Sequence, residues 1–219
     1  LIKSGASEVP RLFVARLPQD LGQVREPAER KALFVRTVLP LILQANEEIL
    51  FNRRRLIELR RRLNEGERLG PVDRLWLIVM AEQYRVKRGE LMELFKRVDI
   101  VPPSIALAQA AEESGWGTSR FAQDGNAPFG QWTFNEAQGL VPFDRDVGST
   151  HAVRAYSRLI DGVHAYIYNL NTHRAYSEFR KARAAMHRLG TDLDGFSLAK
   201  TLTRYSERGH DYVDTLRTI

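Results

Sequence analysis

Residues 103–117 read Pro-Ser-Ile-Ala-Leu-Ala-Gln-Ala-Ala-Glu-Glu-Ser-Gly-Trp-Gly. Few folds accept such a run. Ile105, Leu107, Ala108, Ala110 and Ala111 make a helix that is small and apolar nearly all round. A helix of that kind needs close neighbours on every side. Gly115 then supplies a stop. The rest of the chain must therefore furnish helices to enclose this one.

It has the material to do so. The chain has 219 residues, 43% of them hydrophobic, which supports a core and argues against disorder. From Pro27 to about Leu63, Leu33, Phe34, Val38, Leu41, Ile42, Ala45, Ile49, Leu56, Leu59 and Leu63 recur at helical spacing. Pro40 predicts a break or kink there, giving two helices or one bent one. Residues 64–71 read as a turn, and Pro71 opens another helix. A short helix follows in "RGELMELFKRV".

Residues 115–150 differ in kind, rich in Gly, aromatic and polar residues, with "QWTF", "GLVPF" and "HAVRAY" as short strands. From Leu159 helices resume in "LIDGVHAYIYNLN", "AYSEFRKARAAMHRL", "GFSLAKTLTRYSE" and "HDYVDTLRTI". The first 25 residues read as an extended arm. The predicted class is mainly α (α+β), with a small β-hairpin element. Residues 1–70 are expected to form an N-terminal arm and helical extension, and 71–219 the main domain.

The composition excludes several chemistries. Without cysteine there is no disulfide, thiolate metal site or cysteine nucleophile. The five histidines show no metal-binding spacing, and no phosphate loop or serine-hydrolase elbow is present. No metal or cofactor is expected. No apolar run is long enough to span a membrane; "LFVRTVLPLIL" is broken by Arg36 and Pro40. The chain starts at Leu1 rather than Met, which reads as a mature form whose leader has been removed.

The net charge of +6 suggests an anionic neighbour: wall polymer, membrane surface or nucleic acid. Nucleic acid is set aside, because the arginine run "NRRRLIELRRRLNEG" has no interleaved aromatics and no nucleic-acid motif accompanies it. A solvated helix face is the plainer reading of that run.

The chemistry concentrates at the end of the greasy helix. Glu113 falls in its last turn, where unpaired carbonyls and the negative helix end disfavour a carboxylate. Partial burial adds a desolvation cost of the same sign. Both favour a protonated carboxyl, which is what glycoside hydrolysis needs as general acid. Stability alone would place Lys or Arg there. Glu112 has no assigned role.

The run from Ala108 to Gly117, "AQAAEESGWG", resembles the catalytic-helix motif of the peptidoglycan glucosaminidases of glycoside hydrolase family 73. "FGQW" (Phe129 to Trp132) resembles that family's cleft turn, and "VRAY" (Val153 to Tyr156) its Phe-Arg-x-Tyr strand. The closing "LAKTLTRYSERGHDY" resembles the family's paired tyrosines, here Tyr205 and Tyr212, while "NLNTHRAY" and "LFVRTVLPLILQANEEIL" are similar to the Bax-like branch. The resemblance implies a lysozyme-like domain, peptidoglycan glycan strands as substrate, and work in the periplasm or cell envelope.

It also implies that Glu113 is the catalytic acid. The family's second carboxylate lies in a Thr-Glu-x-x-x-Gly element. The nearest equivalent is "TFNEAQG", with Glu136, and Asp144 and Asp146 are rivals. Glu136 or an Asp would act as base on water, or the substrate's own acetamido group would attack. The family's Asn before Leu-Phe-Gly is displaced: Ala127 stands there and Asn126 one position earlier. Substrate-binding candidates are Trp132, Phe129, Tyr156 and Asn126, with Trp132 the stacking residue. Trp116 and Tyr176 read as core, and His173 as structural. A muramidase, a lytic transglycosylase or a wall-binding protein of the same fold are the alternatives.

Overall fold

The computed structural model describes residues 9–142 and 151–219. Nine α-helices stand in chain order among them: α1 (Pro27–Asn64), α2 (Pro71–Gln83), α3 (Leu91–Arg97), α4 (Pro103–Ser114), α5 (Arg120–Gly125), α6 (Leu159–Thr172), α7 (Ser177–Leu189), α8 (Gly195–Ala199) and α9 (His210–Thr218). Three short strands, β1 (Trp132–Thr133), β2 (Gly139–Leu140) and β3 (Ala152–Arg154), form one antiparallel sheet in the order β1-β3-β2. The class is mainly α with a small sheet, as the pattern predicts.

Two local expectations are corrected, and one open choice is resolved. Of the two forms expected at Pro40, the chain takes the single helix: α1 continues through it to Asn64. Proline removes one hydrogen bond, to the carbonyl four residues back. That residue is Arg36, which is exposed, so water can serve its carbonyl. On the other side, Phe34, Val38, Leu41, Ile42 and Ala45 are all fully buried, and their burial outweighs the lost bond. The helix read over "GFSLAKTLTRYSE" ends at Ala199. Thr201 and Leu202 then bond three residues back, to Leu198 and Ala199. The Thr201 hydroxyl also takes the Leu198 carbonyl at 2.7 Å, a side-chain bond that competes with helix continuation. Finally, α5 arises inside the stretch read as irregular, capped by the Ser119 hydroxyl, which accepts from the Ala122 N–H.

Contacts group the chain into two compact units. The first holds residues up to Ala45, together with Pro103–Tyr166; the second holds Asn46–Pro102 and Ile167–Thr218. In the first unit α4 is enclosed as its composition demands: Ile105, Ala106, Ala108, Gln109, Ala110, Ala111 and Ser114 are buried. From residue 9 onward the arm holds one short 3-10 turn, Leu21–Gln23, and it is fastened. Leu17 and Leu21 are buried, the Ala15 carbonyl accepts from the Leu159 N–H at 2.8 Å, and the Pro18 carbonyl accepts from Gln123 Nε2 at 3.2 Å.

In the second unit Leu56, Met80, Ala81, Tyr84, Leu94, Phe95 and Val98 share one core cluster. Beside it lies a buried ion network. Asp99, 1% exposed, faces Arg53 (3.4 Å), Arg183 (3.3 Å) and His187 (2.8 Å). The two arginines also cap the end of α3. Arg53 donates to the carbonyls of Phe95 and Val98, and Arg183 to those of Lys96 and Ile100. The arginine run is largely spent within the fold: Arg55 and Arg62 pair with Asp73, and Arg61 with Glu58 and Glu65.

Candidate active site

The site is built at the end of α4. The Trp116 N–H bonds to the Ala111 carbonyl at 2.8 Å, and the Gly115 N–H points to that of Glu112. This is a Schellman closure with Gly115 in the left-handed region at φ 56°. It makes Glu113 the last fully helical residue. The backbone stays left-handed for two further residues, Trp116 (φ 58°) and Gly117 (φ 79°). For a tryptophan that conformation costs about 1–2 kcal/mol. Its ring is held in compensation: Phe34 meets it edge-on at 5.9 Å and Lys31 Nζ lies 4.5 Å from its centre. Trp116 is partly buried rather than a core residue, and its described contacts are to Phe34 and Lys31.

Ser114 ties the turn to the helix. Its hydroxyl donates to the Ala110 carbonyl and accepts from the Gly117 N–H at 2.8 Å. Gln123 Nε2 bridges the carbonyls of Gly117 (2.7 Å) and Pro18. A Cβ on Gly117 would lie 2.8 Å from both Leu21 Cδ2 and Phe34 Cδ2, atoms of fully buried side chains. Gly117→Ala therefore meets a steric clash and left-handed strain together. We expect a loss of about 2 kcal/mol or more, read as a lower melting temperature, with glycan cleavage falling as well.

Glu113 is half-buried and lies against the turn before β1: an added Cβ on Gly130 would be 3.8 Å from Glu113 Oε2. A Cβ at 130 would therefore be in van der Waals contact with the carboxyl group. One helical turn earlier on α4, Gln109 is fully buried and accepts from the Tyr166 hydroxyl at 2.8 Å. Tyr166, on α6, stacks on Phe129 at 3.8 Å with the rings nearly parallel. The walls beside Glu113 are thus fixed from two sides. Sequence reasoning missed Gln109 and Tyr166. Gln109 had a signal, as the polar residue four positions before Glu113 in an otherwise greasy helix; Tyr166 had none.

Tyr156 donates to Gln131 Oε1 at 2.7 Å, and Gln131 Nε2 donates to the Ala165 carbonyl at 3.2 Å. Burial pushes the Tyr156 phenol up to about 12, against the opposing influence of Arg154, so it remains a neutral hydroxyl near pH 7. Asn126 ends α5 at φ 50° and is fully buried, donating to the carbonyls of Tyr156 (3.0 Å) and Ser157 (3.3 Å). Phe129 is buried as well, at 3% exposure. Trp132 is 65% exposed, at the head of β1. Glu136 opens a 3-10 turn, Glu136–Gln138, between β1 and β2; its side chain is outside what the structure describes. Asp144 and Asp146 lie outside the described residues. Among the described residues no group of His, Asp and Glu could hold a metal ion, and no helix is long and apolar enough to cross a membrane.

A glutamate ending an enclosed helix, against a glycine turn that leads into a small antiparallel sheet, is the arrangement of a lysozyme-like glycoside hydrolase. Comparison with known proteins agrees. Residues 89–217 match the glucosaminidase family, described as mannosyl-glycoprotein endo-beta-N-acetylglucosaminidase. The chain is 34% identical to Protein bax of Escherichia coli (strain K12), over 88% of its own length and 69% of that protein's. No solved structure matches it. The chain belongs to the glucosaminidase family and is a glycoside hydrolase.

Proposed function

We propose that this enzyme cleaves the β-1,4-linked glycan of peptidoglycan on the N-acetylglucosamine side, with Glu113 as general acid. The observation that carries the reading is the placement of Glu113, half-buried at the end of α4 and facing the Gly130 turn. Glu113 gives its proton to the glycosidic oxygen as the bond breaks. Glu136, on the connection between β1 and β2, is the proposed base on the attacking water. In the other form of the second step the substrate's acetamido oxygen attacks, and the loop carboxylate orients it. No metal or cofactor enters either route.

Trp132 stacks on the apolar face of a sugar ring. Phe129, Tyr156 and Asn126 shape the cleft behind it, Tyr156 as a neutral hydroxyl that steers Gln131. Residues 71–219 form the proposed glucosaminidase domain, a span that contains the family match. The place of work is the periplasm or cell envelope, and the net charge of +6 suits a polyanionic wall or membrane surface.

The test is digestion of purified peptidoglycan, with reduced products identified by mass spectrometry. Products ending in reducing N-acetylglucosamine are expected. Reducing-end or anhydro-muramic products would move the enzyme to the muramidase or transglycosylase class. No products from the folded protein, over a range of pH and glycans, would leave a wall-binding role.

A further inference from the structure

The β1 edge of the sheet carries more aromatic surface than Trp132 alone. Phe134, two residues on, is 80% exposed, among the most exposed large apolar side chains described. A lone exposed phenylalanine is ordinary, but adjacent exposed rings form a patch that asks for a ligand. Trp132 pairs with Val153 and Thr133 with Ala152, so Phe134 directly follows the last paired residue of β1 and His151 directly precedes β3. His151 in turn stacks on Trp132, with ring centres 4.5 Å apart and planes 21° apart. The imidazole backs one face of the indole. The indole is still 65% exposed, so its remaining surface is open.

The base beneath these rings is firm. Gly139 on β2 has no room for a side chain. A Cβ there would be 2.8 Å from Thr133 Cγ2, 2.8 Å from the Val153 carbonyl and 2.9 Å from Ala152 Cβ, so all three strands close on that point. The rings also begin near the acid. Gly130, which faces Glu113, is only two residues before Trp132, at most about 7 Å of extended chain.

We propose that Trp132, Phe134 and His151 form a sugar-binding shelf. Trp132 and Phe134 take successive pyranose rings beside the bond presented to Glu113, and His151 holds the indole in place. The ligand class is a β-1,4-linked chain of N-acetylated hexosamines, whose C–H faces are apolar and whose rings are flat enough to stack. This rests on the glycan-cleaving reading above and adds a subsite to it.

The probe is a tetramer of β-1,4-linked N-acetylglucosamine, titrated calorimetrically into Glu113→Gln protein so that it is not consumed. Phe134→Ala in that background is expected to weaken binding about 3- to 10-fold, with Phe134→Tyr restoring it. His151→Ala is expected to weaken it less, with His151→Phe restoring it through ring contact. Phe134 is exposed, so an unchanged melting curve separates lost contact from lost fold. Tetramer bound equally by Glu113→Gln and its Phe134→Ala derivative would overturn the shelf, and so would failure of the tetramer to bind at all. If the wild type still digests peptidoglycan in either case, the enzyme reading stands. If it neither digests peptidoglycan nor binds the tetramer, both fall.

Discussion

Glu113→Gln is expected to lower glycan cleavage by about 10²–10⁴-fold, the usual span for loss of a positioned general acid. The amide keeps the shape of the side chain and its reach toward Gly130, but it cannot deliver a proton. Stability should move the other way. A carboxylate in the last turn of α4 faces the negative helix end, so neutralising it should leave stability unchanged or raise it by about 0.3–1 kcal/mol. The two readouts together are diagnostic: turnover of insoluble peptidoglycan for one, thermal melting for the other. A variant that retained near wild-type turnover would remove Glu113 from the chemistry. A variant that lost activity and melted far lower would point to a packing role instead.

The second large effect is at Asp99, away from the chemistry. Asp99→Ala leaves Arg53 and Arg183 facing each other in the second unit without their carboxylate. Removing one partner of a buried ion pair costs about 3–5 kcal/mol, which for a chain of this size is a melting temperature lower by about 6–20 °C. Burial alone raises the Asp99 pKa, but the His187 hydrogen bond and the charges of Arg183 and Arg53 outweigh it, so the carboxyl lies below its ordinary value. Arg183, fully buried, is itself pulled down to about 10 by desolvation, even with Asp99 opposing that. A carboxyl depressed in the folded state stabilises the fold fully above its unfolded pKa, near 4, and loses that contribution as pH falls through the folded value. Urea titrations of the wild type between pH 6 and pH 2 should therefore show a fall in stability, part of which is missing in Asp99→Ala. Parallel curves for the two proteins would contradict this account.

How far the sequence announces these features depends on their range along the chain. α4 and its stop were legible because a continuous small-residue run and a following glycine are local signals. Glu113 was legible for the same reason, since its position relative to Gly115 fixes its place in the last turn. Pro40 left two forms open, because its cost is local while the burial that offsets it comes from residues far along the chain. α5 was hidden by the glycine-rich company it keeps, although Ser119 was there as a cap. The overlong reading of α8 followed apolar spacing past Ala199 and gave no weight to the Thr201 hydroxyl. The Asp99 network gave no signal, because residues 53, 99, 183 and 187 meet only after folding. In the site, Trp132 is on a strand pair legible from "QWTF" and "HAVRAY", yet its stack with His151 depends on cross-strand register.

The turn after Glu113 has one more implication. Leu21, Lys31 and Phe34, which hold Gly117 and Trp116 in their left-handed path, all precede residue 89, where the family match begins. The segment shared with the wider family thus carries Glu113 but not the brace of the turn that follows it. Excised at the family boundary, it would expose the inner face of the turn to water and leave the tryptophan's strain without its ring contacts. Catalysis in this chain is not portable: a graft of residues 89–217 onto another protein would need a substitute for the arm and the first turns of α1.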